Sequence, residues 1–248
     1  MYFLDVFASL REAKGVFSMA FYPILMDLEG RRVLVVGGGR VAERKVRSLL
    51  DFGARVDVVS QTLSPALEAL EGEGLVRWAD QEFQEAQLEG MALVIAATDD
   101  AEANRGISAS ARKHNIPVNA VDQPEDCTFI VPAVVRRGDL VLAVSTSGRS
   151  PALAKRLRKE LEASYGPEYA AFLALMGRVR EEVLARGRPQ EENRSTFHAV
   201  VHSGLLDALR SRDWASAAAI LTRILERSWS PEEVAEATGA GTPHSEQR

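Results

Sequence analysis

The stretch VLVVGGGRVAERK, Val33–Lys45, decides the fold of this chain. Val33–Val36 is a short run of valine and leucine, which is typical of a strand buried on both faces. Three glycines follow, and Val41–Phe52 then predicts an amphipathic helix. The spacing Gly37-x-Gly39-x-x-Ala42 therefore stands between a strand and a helix, which is the context that the dinucleotide-binding pattern requires.

Each small residue of this loop has a physical role in that pattern. Gly37 permits the tight turn, Gly39 lets backbone amides approach a pyrophosphate at the helix N-terminus, and Ala42 allows close packing of helix on strand. The alternative is a glycine-rich turn that binds nothing. The cofactor contacts that we predict from this loop and from two later strand ends are Gly37, Gly38, Gly39, Arg40, Val41, Ala42, Ser60, Thr98 and Asp99.

Working outward, strands and helices alternate, which predicts parallel β-α-β units and a Rossmann-type doubly wound sheet in an α/β protein. Further strands are predicted at Arg55–Val59, Leu75–Ala79, Ala92–Ala97 and Pro117–Val121, and helices at Ser64–Glu71 and Ala101–His114. After Val121, two apolar segments flank Gly138-Asp139 and predict a β-ribbon that continues from the sheet. The remainder predicts helices at Ala152–Ala163, Glu168–Ala185, about Ser195–Ser211 and Trp214–Ser228, with a polar connector at Arg186–Asn193.

These patterns divide the chain into five parts. We predict an N-terminal extension at 1–18, a dinucleotide-binding domain at 19–121, a β-ribbon segment at 122–149, a helical domain at 150–237 and a disordered tail at 238–248.

Composition narrows the class of protein further. Of 248 residues, 30 are Lys or Arg and 35 are Asp or Glu, giving a formal net charge of −5, whereas a general nucleic-acid binder is expected to be basic. Cys127 is the only cysteine, which fits a reducing cytoplasm. We find no apolar run long enough for a membrane helix and no signal peptide.

Polar residues follow the strands at the edge where ligands bind in doubly wound sheets. Ser60 stands where an Asp or Glu often holds the cofactor ribose, and no arginine follows it directly, so NAD and NADP both stay open. Thr98 places a hydroxyl near the cofactor, whereas Asp99 and Asp100 are favoured as caps of the next helix. Asp122 is a candidate general base, with a solvent-exposed turn residue as the equal alternative.

A hydroxyl-rich stretch, STSGRS at Ser145–Ser150, leads into a helix and suits an anionic group. Residues 136–162 carry seven basic residues against three acids, which indicates an acidic partner or a solvated helix face. His198 and His202 lie four apart on a predicted helix, but no further ligand cluster accompanies them, so no metal site is predicted. Cys127 is interpreted as a small buried side chain.

Four motifs in this order and spacing resemble the siroheme-synthase N-terminal family: GGGRVAERKV, IAATDD, VNAVDQPEDCTFIVPA and VSTSGRSPALAKRLR. The resemblance covers about Phe21–Leu161. The family comprises NAD-dependent precorrin-2 dehydrogenases, some of which are also sirohydrochlorin ferrochelatases that use Fe²⁺ as substrate. The methyltransferase domain that follows this module in some members has no counterpart in the sequence.

The resemblance implies that precorrin-2, a carboxylate-rich tetrapyrrole, is oxidised to sirohydrochlorin in siroheme biosynthesis. It assigns the essential aspartate to Asp122. It also implies an intertwined homodimer, with the β-ribbon at 122–149 as a dimerisation segment. A serine that is phosphorylated in one branch is Thr146 here, which puts that regulation in doubt. The predicted substrate contacts are Asn119, Ser145, Thr146, Ser147, Gly148, Ser150 and Lys155.

Two rival functions share the glycine loop. A short-chain reductase needs Tyr-x-x-x-Lys, and none of the four tyrosines has a lysine four residues later. A non-enzymatic NAD-sensing Rossmann domain is the alternative, but it would not need the Asp122 and Ser145–Ser150 elements.

Overall fold

The computed structural model describes residues 21–239, and these form two compact units that meet in sequence at Val131 and Pro132. The predicted extension at 1–18 lies outside the described residues. Of the predicted tail at 238–248, the described part is Thr238, which caps the last helix, and Gly239.

The first unit is a parallel five-stranded sheet with strand order β3-β2-β1-β4-β5, which confirms the doubly wound architecture. Chain order reverses between β1 and β4, and ligands of such sheets bind outside the strand ends at this point. The strands are β1 Arg32–Val36, β2 Arg55–Val59, β3 Val76–Asp80, β4 Leu93–Ala96 and β5 Val118–Ala120, and the helices are α1 Arg40–Leu50, α2 Pro65–Gly72 and α3 Ala101–Lys113, with a 3-10 turn at Glu85–Leu88.

The central strand β1 is buried on both faces, as its unbroken apolar run predicts. Val33 and Val35 pack in the hydrophobic cluster that contains Val46 of α1, whereas Leu34 and Val36 pack in the cluster that contains Ile107 of α3. The strand ends are level, because Val36 pairs with Val59 of β2 and with Ala96 of β4. The turns that follow these strands therefore emerge at one edge of the sheet.

One charged residue is buried in this sheet. Asp57 of β2 is 6% exposed and accepts hydrogen bonds from Arg32 of β1 at 2.7 Å and from Arg77 of β3 at 2.6 and 2.9 Å. Burial alone would raise the pKa of Asp57, but the hydrogen bonds from Arg77 and Arg32 outweigh it and hold the pKa below its ordinary value. The ion triad thus ties three neighbouring strands together.

The second unit begins with a two-stranded antiparallel sheet, β6 Ala133–Arg137 and β7 Leu140–Val144, turning at Gly138 with φ 58°. The prediction that this ribbon continues the parallel sheet was wrong, since β6 and β7 form a sheet of their own in the described chain. The chain between β5 and β6 is irregular, with a 3-10 turn at Pro124–Asp126, so no ladder passes from one sheet into the next.

Helices make up the rest of the second unit: α4 Pro151–Ser164, α5 Glu168–Ala185, α6 Gln190–Val201, α7 Leu205–Arg210, α8 Trp214–Leu225 and α9 Pro231–Ala237. A single helix over 195–211 was a wrong prediction. Ser203 Oγ donates to Val200 O and accepts from Leu205 N, which ends α6 and starts α7. The connector was also predicted too long, because α6 already begins at Gln190. None of the helices over residues 21–239 is long and apolar enough to cross a membrane.

Candidate active site

A cavity of about 1650 Å³ opens in the first unit at the carboxyl edge of the sheet. It lies where the topology predicts a ligand, beside the turns after β1, β2, β4 and β5. Among the residues that line it are most of the predicted cofactor contacts and the predicted base: Gly37, Gly38, Gly39, Arg40, Val41, Ser60, Thr98, Asp99 and Asp122. Ala42 is fully buried beneath the loop and packs in the core.

The glycine turn has the geometry of an anion cradle. Gly37 has φ 125°, and a Cβ there would lie 2.3 Å from Ala97 O, while a Cβ at Gly38 would lie 1.9 Å from Thr62 O. Gly39 differs, because a Cβ there would meet nothing within 4 Å. Gly39 is also the N-cap of α1 and supplies no side-chain cap, so the first amides of that helix are left for a ligand. These residues therefore fit the pyrophosphate of a dinucleotide.

The end of β2 carries no carboxylate. Ser60 Oγ donates to Thr62 O at 2.8 Å, so its hydroxyl proton is used within the turn. The buried Asp57 is held by its two arginines and is not among the residues that line the cavity. Ser60, Gln61 and Thr62 are polar residues that the turn after β2 presents to the cavity.

The turn after β4 is held by hydrogen bonds to its own residues and to the start of α3. Thr98 Oγ1 lies 2.8 Å from Asn104 Oδ1 and 3.0 Å from Asp100 O, so its proton has an internal acceptor. Asp100 is the N-cap of α3 and accepts from Glu102 N and Ala103 N, as the capping interpretation predicts. Asp99 makes no such bond and is exposed on the cavity wall.

Asp122 lies two residues past β5 in a left-handed conformation, with φ 59°. Its carboxylate is exposed and lines the cavity. The loop that follows is bound to α3, because Gln123 Nε2 donates to Ala101 O at 2.9 Å and Arg112 Nη2 donates to Glu125 O at 2.8 Å. A left-handed aspartate costs about 1–3 kcal/mol and persists only where its surroundings fix it, which is common at functional sites.

Lys45 adds a cation to this region. It is half-buried on α1 between two core residues, Ala42 and Val46. Burial lowers the pKa of Lys45 and the charge of Arg44 lowers it further, whereas Cys127 and Asp122 act in the opposite direction. Lys45 is thus close enough to Asp122 to feel its charge.

Asn119 and Cys127 form a polar contact beneath the site. Asn119 is 9% exposed, and its Nδ2 donates to Phe129 O at 3.1 Å and contacts Cys127 Sγ at 3.5 Å. Cys127 is half-buried, and burial raises the pKa of its thiol. Asn119 therefore holds the chain after Asp122 against β5, and a contact between its amide and substrate stays a prediction.

The other predicted substrate contacts lie in the second unit, at the turn from β7 into α4. Ser150 is the N-cap of α4, and Thr146 Oγ1 accepts from Ser150 N at 3.1 Å. Ser147, with φ 50°, and Gly148, with φ 78°, form a left-handed turn that leaves Ser145, Ser147 and Lys155 exposed. The structure thus brings this group together around one helix N-terminus.

The charges of residues 136–162 are partly balanced within α4. Arg156 pairs with Glu160 at 2.7 Å and Arg158 with Glu162 at 2.6 Å.

His198 and His202 are exposed, with ring centroids 4.1 Å apart. Within residues 21–239, no group of three or more His, Cys, Asp or Glu side chains is placed to hold a metal ion.

Sequence reasoning missed two residues that line the cavity, Asn104 and Gln123, and it missed Lys45, whose charge interacts with that of Asp122. Asn104 shares the buried face of α3 with Ile107, Ser108 and Ala111, at helical spacing. A polar residue on an otherwise small and apolar stripe was the available signal. Gln123 stood inside a quoted motif, but nothing in the sequence shows that its amide reaches Ala101.

Comparison with known proteins shows what this chain is similar to. A family model for NAD(P) binding matches residues 24–133, and a model for the central part of sirohaem biosynthesis proteins matches residues 137–164. The siroheme synthase of Methylobacillus flagellatus is 47% identical over 71% of this chain and 38% of its own length. Siroheme synthase 1 of Aeromonas salmonicida is 42% identical over 80% of this chain and 43% of its own. The chain thus spans less than half the length of these curated relatives.

A solved structure agrees over a larger share of its own length. SirC, a precorrin-2 dehydrogenase, superposes with a TM-score of 0.69 at 27% identity and covers 83% of this chain and 100% of its own. The shared fold includes the parallel sheet, the small antiparallel pair and the helical region.

Proposed function

The chain belongs to the siroheme synthase family, and from that premise we propose that it oxidises precorrin-2 to sirohydrochlorin with NAD⁺. The observation that carries the proposal is the cavity of the first unit, which combines an open glycine cradle with the exposed carboxylate of Asp122. A nucleotide-sensing domain needs the cradle but has no use for a carboxylate held in a left-handed turn beside it.

The reaction removes two electrons and two hydrogens from the macrocycle. The nicotinamide, when bound, supplies the acceptor for a hydride. Asp122 takes the remaining proton on a carboxylate oxygen and passes it to solvent, to which it is exposed. The loop contacts of Gln123 and Arg112 fix where that carboxylate stands, and Lys45 attracts it electrostatically.

The parts of the chain divide this work between them. The dinucleotide-binding domain, 19–121, holds the cofactor, and the ribbon segment, 122–149, begins with the base. The helical domain, 150–237, binds the carboxylate-rich substrate through Lys155 and the preceding turn Ser145–Ser150. Asn119, which belongs to the first unit, stays a separate predicted substrate contact. Carboxylates bind to hydroxyls, to helix N-termini and to cationic side chains. This region offers exposed hydroxyls, the N-terminus of α4 and the exposed side chains of Arg149, Lys155 and Lys159.

NAD⁺ is the cofactor that we propose over NADP⁺. The turn after β2 presents Ser60, Gln61 and Thr62, which include no cation to pair with a 2′-phosphate. Titrating the protein with each dinucleotide tests this choice. Tighter binding of NADP⁺ than of NAD⁺ would contradict it.

The functional form that we propose is a cytoplasmic homodimer. Helix α4 has no buried residue, and none of the five apolar residues of β7 is buried. Leu153 and Leu157 of α4 are 45% and 36% exposed, and a second copy of the chain would cover such a face. Sedimentation equilibrium should give the mass of two chains, and Leu153→Glu should lower it to the mass of one chain.

The unpaired thiol of Cys127 fits the reducing compartment, the cytoplasm, that we propose for the protein.

The decisive experiment mixes the purified full chain with precorrin-2 and NAD⁺ and follows formation of sirohydrochlorin by absorbance. Asp122→Asn keeps a side chain that tolerates the left-handed backbone and removes the base, so we expect activity to fall by about 10²–10⁴-fold while NAD⁺ binding is retained. Glu125→Gln, an exposed acid on the same loop, is the matched control and should keep full activity. Full activity in Asp122→Asn would refute the role of Asp122, and inactivity of the unaltered chain would refute the function. Adding Fe²⁺ afterwards reads out chelation as a separate step.

A further inference from the structure

Asn104 is a polar residue buried where the packing of α3 calls for an apolar one. It is 3% exposed and faces the sheet in the row that Ile107, Ser108 and Ala111 continue. Burying an amide without hydrogen bonds costs free energy, so its contacts must satisfy it.

All contacts of the Asn104 amide go to a single residue. Oδ1 accepts from Thr98 N at 3.1 Å and lies 2.8 Å from Thr98 Oγ1, and Nδ2 donates to Thr98 O at 3.1 Å. The side chain thus pairs with both backbone groups of Thr98, as a neighbouring strand would. This arrangement fixes the peptide plane at the point where the chain leaves β4.

The glycine turn rests on that same stretch of backbone. A Cβ at Gly37 would lie 2.3 Å from Ala97 O and 3.1 Å from Thr98 N, so the turn and the end of β4 are in direct contact. Ala97 N also donates to Val36 O at 2.7 Å. A shift of Thr98 is therefore transmitted to Gly37 and to the amides that precede α1.

We propose that Asn104 is a positioning residue for the dinucleotide, which it acts on by holding Thr98 and, through Thr98, the turn at Gly37. The inference rests on the dinucleotide-binding part of the proposed function and assigns Asn104 no contact with reacting atoms. It follows that Asn104 controls the affinity for NAD⁺ and leaves the chemical step unchanged.

The first test compares Asn104→Ala with Asn193→Ala. Asn193 of α6 is also buried, at 9% exposure, and its Nδ2 donates to Arg188 O, so it controls for loss of a buried amide. We expect Asn104→Ala to raise the Kd of NAD⁺ in calorimetry at least tenfold and to raise its KM with kcat within about twofold. Asn193→Ala should leave the Kd of NAD⁺ unchanged, whatever its effect on thermal stability.

The second test is Asn104→Asp, which keeps the shape and retains Oδ1. Its second oxygen faces Thr98 O, and two acceptors repel unless the carboxyl is protonated and donates as the amide does. Burial and this acceptor both favour the protonated form. We expect the Kd of NAD⁺ for Asn104→Asp to approach that of the unaltered chain near about pH 5 and to rise at least fivefold by about pH 8, whereas the Kd of the unaltered chain changes little.

Each outcome decides between the possibilities. If Asn104→Ala does not fold, the pH profile of Asn104→Asp carries the test. An Asn104→Asp variant that binds NAD⁺ like the unaltered chain at both pH values overturns the proposal, as does a loss of kcat without a change in the Kd of NAD⁺. An unaltered chain that binds neither NAD⁺ nor NADP⁺ overturns the proposed function itself, which is a different result.

Discussion

Gly37 and Gly39 belong to the same glycine motif, but we expect them to respond in opposite ways to replacement by alanine. At Gly37 the φ of 125° is costly for any L residue, by about 1–3 kcal/mol. The new Cβ would also lie 2.3 Å from Ala97 O, and relieving such overpacking costs about 1–3 kcal/mol more. Gly37→Ala should therefore lower the free energy of unfolding by about 2–6 kcal/mol.

Gly39→Ala should leave the fold almost unchanged. The backbone at Gly39, with φ −87° and ψ −175°, suits alanine, and its Cβ would meet nothing within 4 Å. Replacing a glycine N-cap by alanine costs about 0.5–1 kcal/mol, and the restricted unfolded chain returns about 0.4–1 kcal/mol, so the net change stays within about 0.5 kcal/mol. The methyl group would instead fill space beside the α1 N-terminus, and we expect the Kd of NAD⁺ to rise at least tenfold, about 1.4 kcal/mol.

Urea unfolding followed by circular dichroism and calorimetric titration with NAD⁺ separate the two effects. The reasoning fails if Gly39→Ala binds NAD⁺ like the unaltered chain, because the open space at Gly39 would then not be where the ligand lies. It also fails if Gly37→Ala unfolds at the same urea concentration as Gly39→Ala.

Three further predictions concern stability and reactivity. Asp57→Asn should lower the free energy of unfolding by about 1–3 kcal/mol at neutral pH. Because the native pKa of Asp57 is lowered, this difference in free energy should shrink as the pH falls below about 4. A pH-independent difference in urea titrations would contradict the ion triad. Cys127 should react with iodoacetamide at least tenfold more slowly in the native chain than in urea, since burial raises its pKa, and equal rates would count against that burial. Arg137→Ala should lower the melting temperature by several degrees, because Arg137 donates hydrogen bonds to the carbonyls of Glu162 and Tyr165 at the end of α4. An unchanged melting temperature would show that these hydrogen bonds contribute nothing to stability.

Most elements of the fold could be predicted from local sequence patterns. The run Val33–Val36 and the glycines after it specify a buried strand and a turn without reference to distant residues. Ser64 followed by Pro65 is a similarly local signal for a helix N-terminus, and Ser64 Oγ accepts from Leu67 N at 3.4 Å. Such signals lie within one element, so one sequence is enough to read them.

Interactions between elements were harder to predict. Thr98 was expected to offer its hydroxyl to the cofactor, but the hydroxyl turns to Asn104, six residues later on α3. Which way a rotatable hydroxyl points depends on packing that spacing does not encode. The break at Ser203 was missed for a related reason, because a serine hydroxyl can either face solvent or compete for backbone partners within a helix.

The internal bonding of the cavity rim has a kinetic consequence. Ser60 bonds within its own turn and Thr98 bonds to Asn104, so these two turns are already ordered before any ligand arrives. A dinucleotide that serves as a co-substrate must leave and be replaced at every turnover. With these turns preformed, association needs no local folding step there, and its observed rate should rise linearly with NAD⁺ concentration in stopped-flow measurements. The exchange of spent for fresh dinucleotide would then be limited by the dissociation rate of the bound dinucleotide, and a change in affinity caused by Asn104 would appear in that rate.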